Sequence, residues 1–183
     1  MYNRALTGYE KALGVEHRST LKVVHNLGNL FKNQGRQEDA EMMYYRALAG
    51  KEKAWGPEHT STPGTINGLG NVYIIQGRHK DAEMMYNRAL AGSEKALGAE
   101  HTSTLTIVNN LGFLYAGQGR YKDAEMMYNR ALAGFEKSLG PEHMATLNTV
   151  NNLGNLYANQ GRREDAEMMY HRAQAGNEDL SIL

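Results

Sequence analysis

The string Asp-Ala-Glu-Met-Met-Tyr stands at Asp39–Tyr44 and returns unchanged at Asp81–Tyr86, Asp123–Tyr128 and Asp165–Tyr170. Gln-Gly-Arg precedes every copy, at Gln34–Arg36, Gln76–Arg78, Gln118–Arg120 and Gln160–Arg162. The spacing is 42 residues throughout. A fixed period between about 20 and 50 residues marks stacked supersecondary units, an open solenoid rather than a globule around one core. Each unit buries its apolar face on its neighbours, so about three are needed for stability. Four nearly whole copies are present here. Such arrays offer long surfaces more readily than catalytic pockets.

The third copy shows what one unit contains. Val108, Leu111, Gly112 and Tyr115 fall at i, i+3, i+4 and i+7, one face of a helix. This predicts a helix A over Thr104–Gln118, interrupted by Gly119. Ala124, Met127, Tyr128, Ala131 and Phe135 form a second stripe with the same period, predicting a helix B over Tyr121–Leu139. Gly140-Pro141 closes it, because glycine suits the position after a helix and proline cannot continue one. Ser103 and Thr104 offer N-cap chemistry for helix A. Gly28, Gly70, Gly112 and Gly154 recur inside helix A, and Gly50, Gly92, Gly134 and Gly176 inside helix B. A mid-helix glycine costs about 1 kcal/mol against alanine. Its recurrence points to close backbone approach where helices cross, with a functional backbone site as the alternative.

The chain divides on this period into a partial repeat (1–19, helix B only) and four further repeats at 20–61, 62–103, 104–145 and 146–183. Met1-Tyr2-Asn3-Arg4-Ala5-Leu6 aligns with Met85–Leu90, so the chain is expected to begin inside a helix B, as a piece of a longer array would. In the last helix Gln174 replaces Leu48, Leu90 and Leu132, and Ser181 replaces Trp55, Leu97 and Leu139. That polarity reads as a cap, although the tail Leu180-Ser181-Ile182-Leu183 is apolar. The second repeat departs from its siblings. Pro63 stands where Leu21, Leu105 and Leu147 stand, and Gly64 and Gly68 follow. The proline is expected in the first helical turn, and the glycines are expected to weaken that helix.

Composition narrows the function classes. Lys+Arg and Asp+Glu both number 20 in 183 residues, which leaves no electrostatic footprint for a nucleic acid or an anionic membrane. There is no cysteine, hence no disulfide, thiolate nucleophile or cysteine-ligated zinc. No apolar run approaches the roughly 18 residues of a membrane span, and no signal-peptide pattern opens the chain. A cytoplasmic home is expected. No nucleophile–base pair, phosphate loop or paired-carboxylate site stands out, so neither an enzyme nor a cofactor is expected.

Leu111-Gly112, Tyr115, Ala124, Tyr128 and Ala131 match the tetratricopeptide signature in spacing, and the other copies follow closely. The usual unit has about 34 residues; here helix B runs about two turns longer and ends in Leu-Gly-Pro-Glu-His. The chain therefore resembles the longer repeats of kinesin light chains and of nephrocystin-like arrays in fungal NLR-type receptors. The strings Thr149–Tyr157 and Gly140–His143 carry the latter likeness. The resemblance implies an all-α, right-handed superhelical solenoid of antiparallel helix pairs. It also implies protein–protein recognition or assembly, without naming a ligand.

In tetratricopeptide arrays the A helices line the concave face, the usual peptide groove. Carried onto this chain, that face comprises Lys22, His25, Asn29, Lys32 and Asn33, then Gly64, Asn67, Asn71, Ile74 and Ile75. It continues through Thr106, Asn109, Phe113, Ala116 and Gly117 to Asn148, Asn151, Asn155, Ala158 and Asn159. An asparagine amide offers donors and an acceptor together, so it can pair with a peptide backbone whatever the ligand sequence. Repeats about 8–10 Å apart and a peptide rise of about 3.3 Å per residue let each repeat read about three ligand residues. Phe113, Ile74 and Ile75 interrupt the asparagines as a candidate apolar pocket. The plainer alternatives are asparagines that solvate a helix face or bond across neighbouring helices, and a Phe113 engaged in local packing. The chaperone-tail clamp of lysines, asparagines and arginine is not matched, since basic groove residues are chiefly Lys22 and Lys32.

Other recurrent residues have structural readings. His17, His59, His101 and His143 each follow a glutamate. Zinc–nitrogen bonds are about 2.0–2.1 Å, so histidines one repeat apart cannot share an ion, and backbone satisfaction at a helix junction is expected instead. Asp123 and Glu125, at i and i+2, point different ways and are expected to serve the helix dipole. The Met-Met pairs are expected to split between core and groove wall. The leading functional reading is a module binding a peptide or partner surface on the concave face, the sensor or scaffold part of a larger signalling protein. The alternative is head-to-tail self-assembly into a homo-oligomer through the apolar array ends. RNA reading by helical repeats is disfavoured by neutral charge and by the period.

Overall fold

The computed structural model describes the backbone of residues 2–180 and the side chains of residues 4–176. The described residues form nine helices, and none forms a strand: α1 (Tyr2–Leu13), α2 (Arg18–Asn33), α3 (Gln37–Trp55), α4 (Thr62–Ile75), α5 (His79–Leu97), α6 (Thr102–Gly117), α7 (Tyr121–Leu139), α8 (Met144–Asn159) and α9 (Arg163–Leu180). They fall into two compact units, Met1–Leu97 with α1–α5 and Gly98–Leu183 with α6–α9. In the first unit α2 pairs with α3 and α4 with α5, while α1 packs on α2 and α3 on α4. In the second, α6 pairs with α7, α8 with α9, and α7 packs on α8. The A helices also touch within each unit, α2 with α4 and α6 with α8. No helix among the described residues is long and apolar enough to cross a membrane. The expected apolar tail and the first residues of the chain lie outside the described side chains.

Each helix pair is closed by the same turn. Gly119 has φ 73°, a conformation that strains any residue with a Cβ. It lets the Arg120 amide donate back to the Tyr115 carbonyl at 2.9 Å. The Arg120 guanidinium then lies 3.9 Å above the Tyr115 ring, a cation–π contact, and its Nε donates to Asp123 at 2.9 Å. Arg36, Arg78 and Arg162 repeat this over Phe31, Tyr73 and Tyr157. The glutamate of the motif reaches the other way. Glu41 pairs with Arg78 at 3.2 Å and Glu125 with Arg162 at 3.1 Å, each one repeat further on. Asp123 stands in the first turn of α7, where the dipole reading expects it, and the arginine pairing adds a role that reading did not include. Residues two apart on a helix diverge, so the aspartate serves the arginine of its own turn and the glutamate that of the next repeat.

The recurrent glycines mark close approach of helices. A Cβ on Gly112 would stand 2.7 Å from the Tyr128 ring, and one on Gly154 2.7 Å from the Tyr170 ring. Gly28 and Gly70 face Tyr44 and Tyr86 in the same way. In helix B the partner is a leucine: Leu105 crosses Gly134, and Leu147 crosses Gly176. Helix A of the second repeat lacks that leucine, and a Cβ on Gly92 of its helix B would stand 3.3 Å from Pro63 instead. Gly68 of the same helix seats the far side of the Tyr44 ring, where a Cβ would come within 2.7 Å.

Helix starts differ from the sequence expectation. The N-cap of α6 is His101, whose Nδ1 accepts the Ser103 amide, so the helix begins at Thr102, two residues before the predicted Thr104. His17 and His143 cap α2 and α8 alike. The threonine three residues on is buried and ties the incoming chain. Thr20 donates to the Gly14 carbonyl, Thr104 to Gly98 and Thr146 to Gly140, each at 2.8 Å. Helix α7 spans Tyr121–Leu139 as predicted and ends at Gly140, whose φ of 94° only glycine adopts readily.

The second repeat breaks this arrangement. Its proline does lie in the first turn of α4, but the preceding Ser61 is already helical, at φ −88° and ψ −9°. Thr62 is displaced as a result, and its hydroxyl is buried with no hydrogen-bond partner among the described residues. An unsatisfied buried hydroxyl costs about 1–3 kcal/mol, whereas a made hydrogen bond contributes about 1 kcal/mol. Thr62→Val is therefore expected to raise the urea midpoint, and Thr146→Val to lower stability by about 1–2 kcal/mol. Equal effects of the two changes would contradict this account of α4.

Candidate functional site

In the second unit, α8 presents Asn148, Asn151, Asn155 and Asn159 on one exposed face, at i, i+3, i+7 and i+11. The neighbouring α6 contributes Asn109, half-buried, and Phe113, 55 % exposed. The two helices are linked by Asn152, whose amide donates to Asn109 Oδ1 at 3.2 Å. Asn155 accepts the Tyr170 hydroxyl at 2.8 Å. Thr106 donates to the Thr102 carbonyl of its own helix, at 2.9 Å. Ala116 is half-buried, and Gly117 and Ala158 are exposed.

In the first unit the same register recurs. Asn29 accepts the Tyr44 hydroxyl at 2.7 Å, and Asn71 the Tyr86 hydroxyl at 2.6 Å. These tyrosines are the rings packed on the helix A glycines, so the asparagine holds the ring's polar end. Part of the asparagine ladder thus bonds across the helix pair, the plainer of the two sequence readings. Phe113 occupies the equivalent position in the third repeat and offers Tyr128 no acceptor. Lys22 and Asn33 are exposed, and Lys32, Asn67 and Ile74 half-buried. Ile75 is exposed. Gly64, also exposed, has nothing near its Cβ position.

His25 leads to a feature that the sequence reading passed over. Its Nδ1 bonds the Thr65 hydroxyl at 3.2 Å, and its ring meets Tyr44 edge-on. Burial lowers its pKa to about 4, helped by the charges of Lys51 and Lys32, so it is neutral at pH 7. Lys51 is 7 % exposed. Its ammonium donates to the Ser61 carbonyl at 2.8 Å and to Thr65 Oγ1 at 2.7 Å, and burial lowers its pKa to about 8. Lys51, Arg18, Lys22, His25, Trp55 and Ser61 line a cavity of about 250 Å³. The signal was present in the period: at the position of Lys51 the next two repeats carry Ser93 and Phe135.

The methionine pairs divide differently from expectation. Met42, Met84, Met126 and Met168 are each more than half exposed. Each stands two residues, about 200° of helix, before the tyrosine that packs on helix A. They therefore face away from the A helices rather than forming a groove wall.

A family model described as tetratricopeptide repeat matches residues 1–53, 61–137 and 104–179. No curated protein sequence matches the chain. Among solved structures, BtubC (BKLC) from P. vanneervenii shares 24 % identity at a TM-score of 0.83, over 98 % of this chain and 72 % of that one. A kinesin light chain-like protein of Podosopora anserina with "nearly identical TPR-like repeats" shares 23 % identity at a TM-score of 0.72, over 98 % and 85 %. RapI in its apo form shares 16 % at 0.82, over 98 % and 63 %. At these identities the likeness is one of fold.

Lys51 gives the fold a measurable pH dependence. Its folded-state pKa of about 8 lies below the ordinary 10.5, so between these values the unfolded chain binds the extra proton and stability rises with pH. The buried tyrosines oppose this only past pH 10, where the unfolded phenols begin to ionise while Tyr44, raised to about 12, does not. His25, lowered to about 4, does not change charge in the window. The unfolding free energy of the wild type should rise from about pH 8 to 10 relative to Lys51→Met, measured by urea titration. Parallel profiles would rule out a buried, titrating Lys51.

Proposed function

The chain belongs to the tetratricopeptide-repeat family, whose members are protein-interaction scaffolds, and on that premise we propose that it binds an extended peptide or a partner surface along the exposed faces of its A helices. The observation that carries this reading is the row on α8. Asn148, Asn151 and Asn159 are exposed at helical spacing, and no hydrogen bond to another side chain among the described residues is seen for them. Solvation of a surface helix is met equally well by charged side chains, yet this face has none. Uncharged amides suit a peptide backbone, which offers alternating donors and acceptors without net charge. Phe113 beside them is large, apolar and exposed, the kind of group that anchors an interface. Its counterparts Asn29, Asn71 and Asn155 hold tyrosine hydroxyls, so this repeat has given up an internal bond for an external apolar group. In the parent protein this surface would form the sensor or scaffold part of a signalling chain.

A second reading, self-assembly, draws on α1. Ala5, Gly8, Tyr9, Ala12 and Leu13 line an apolar hollow of about 350 Å³. Tyr9 and Leu13 are 40 % and 46 % exposed. At the matching place in α3, Gly50 is covered by Leu21 of its own repeat's helix A, whereas Gly8 has nothing within 4 Å. A helix A from another copy would fill the hollow.

The two readings separate experimentally. Against ligands selected from a peptide library, Asn148→Ala with Asn151→Ala should weaken binding about tenfold, as two hydrogen bonds near 0.7 kcal/mol each would. Phe113→Ala should weaken it at least as much, with helix content by circular dichroism unchanged. Undiminished binding removes the groove assignment. For assembly, light scattering over a hundredfold concentration range should show a rising molar mass that Tyr9→Lys suppresses; a constant monomer mass excludes it.

A further inference from the structure

We propose that the cavity at Lys51 binds a phosphate monoester, with Arg18, Lys22 and Lys51 around the phosphate and the ligand's organic part against Trp55. The cavity shares Lys22 and His25 with the face read above as a peptide groove, but the proposal does not rest on that reading, because the cavity's own residues suffice for a small anion.

Three observations carry it. The first is uncompensated positive charge. Lys51 is buried, yet both hydrogen-bond partners of its ammonium are neutral, and a buried ammonium without a counter-ion is costly. Among the described residues no ion pair is seen for Arg18 or Lys22, and the carboxylates close in sequence are engaged elsewhere: Glu16 with Lys53, Glu52 with Arg88 and Glu58 with Lys95. The clustering is local, since the chain as a whole has no net charge.

The second is the repeat itself, which serves as an internal control. Whatever the scaffold requires stands in every copy. The counterparts of Arg18 are Thr60, Thr102 and Met144; those of Lys22 are Gly64, Thr106 and Asn148; those of Lys51 include Ser93 and Phe135. None is basic. Three cations line one cavity where helix pairing asks for none, and Trp55, the only tryptophan, stands beside them in place of Leu97 and Leu139.

The third is fit. The cavity, about 250 Å³, falls below the roughly 300–1,000 Å³ of pockets that enclose drug-sized ligands. It suits an ion with a small substituent. Three positive charges match a phosphate monoester, at about −1.5 to −2 near pH 7, better than a single carboxylate. A guanidinium fork matches phosphate oxygens. Neutral His25 adds a wall without charge of its own, and Trp55, whose ring centroid is 5.0 Å from that of His59, offers an aromatic surface for the substituent.

The unique tryptophan provides the readout. Inorganic phosphate and phenyl phosphate are titrated at pH 7 and constant ionic strength while Trp55 fluorescence is followed, with acetate as the monoanion. Saturable binding is expected for both phosphates, tighter for phenyl phosphate, and at least tenfold weaker for acetate. Arg18→Gln with Lys22→Gln, both on the surface, should weaken phosphate binding at least tenfold, while Lys53→Gln outside the cavity leaves it unchanged. Lys51→Met, if folded, should abolish it. A linear or absent response, equal binding of acetate, or an unaffected double variant overturns the proposal. A phosphoserine peptide compared with phenyl phosphate identifies the source: the tighter of the two shows whether the monoester arrives free or on a polypeptide. The two tests stay distinguishable, because the probes here are small ions and the groove variants, at Asn148, Asn151 and Phe113, lie outside the cavity.

Discussion

The close approach of helix A to helix B, glycine against tyrosine ring, is the constraint on which each repeat depends. Gly28, Gly70, Gly112 and Gly154 accept the rings of Tyr44, Tyr86, Tyr128 and Tyr170 at distances that leave no room for a methyl group. Glycine in a helix interior is locally unfavourable, so the gain must come from the packing it allows: a full aromatic ring seated between two backbones. The ring's hydroxyl then needs a partner, and an asparagine one position beyond the glycine supplies it in three repeats. The asparagine at this position is thus a consequence of the tyrosine, and Phe113, which cannot serve it, marks a place where another demand prevailed.

Contacts between repeats use charge in the same periodic way. The arginine of each closing turn lies on an aromatic ring and binds the aspartate of its own motif, and Arg78 and Arg162 also reach the glutamate of the repeat before. Such exposed pairs contribute little singly, but here the guanidinium is held by stacking before it meets either carboxylate, so less side-chain freedom is lost on pairing. A second series, Glu10 with Arg46, Glu52 with Arg88 and Glu136 with Arg172, ties successive B helices. Since scaffold needs repeat with the period, residues that break the period are the informative ones. Two such breaks, Phe113 and the Lys51 group, are where a partner and an anion are proposed.

Much of this was legible in the sequence. The 3.6-residue stripes located α7 to the residue, and the recurrent glycines announced close crossings. The histidines were read as backbone partners at helix junctions, and His17, His101 and His143 cap helices in that way. The misreadings share a cause. Ser103 and Thr104 look like caps because their chemistry is right, but His101 reaches the amide first. The arginine pairing of Asp123 and Glu125 was missed because the partners become adjacent only after the turn has closed or the next repeat has packed. Lys51, on a helix rich in charge, drew no reading at all; only the placement of α4 and Ser61 over it makes it buried.

The helical hairpin, its period and the positions that cannot carry a side chain could all be read from the residues alone, because they follow from local geometry repeated at a fixed spacing. Packing settled which polar groups are already satisfied. An asparagine that solvates, one that holds a tyrosine and one that waits for a ligand are the same letter on the same face. Which it is depends on what lies within about 3 Å of its amide, and that is set by a chain segment many residues away.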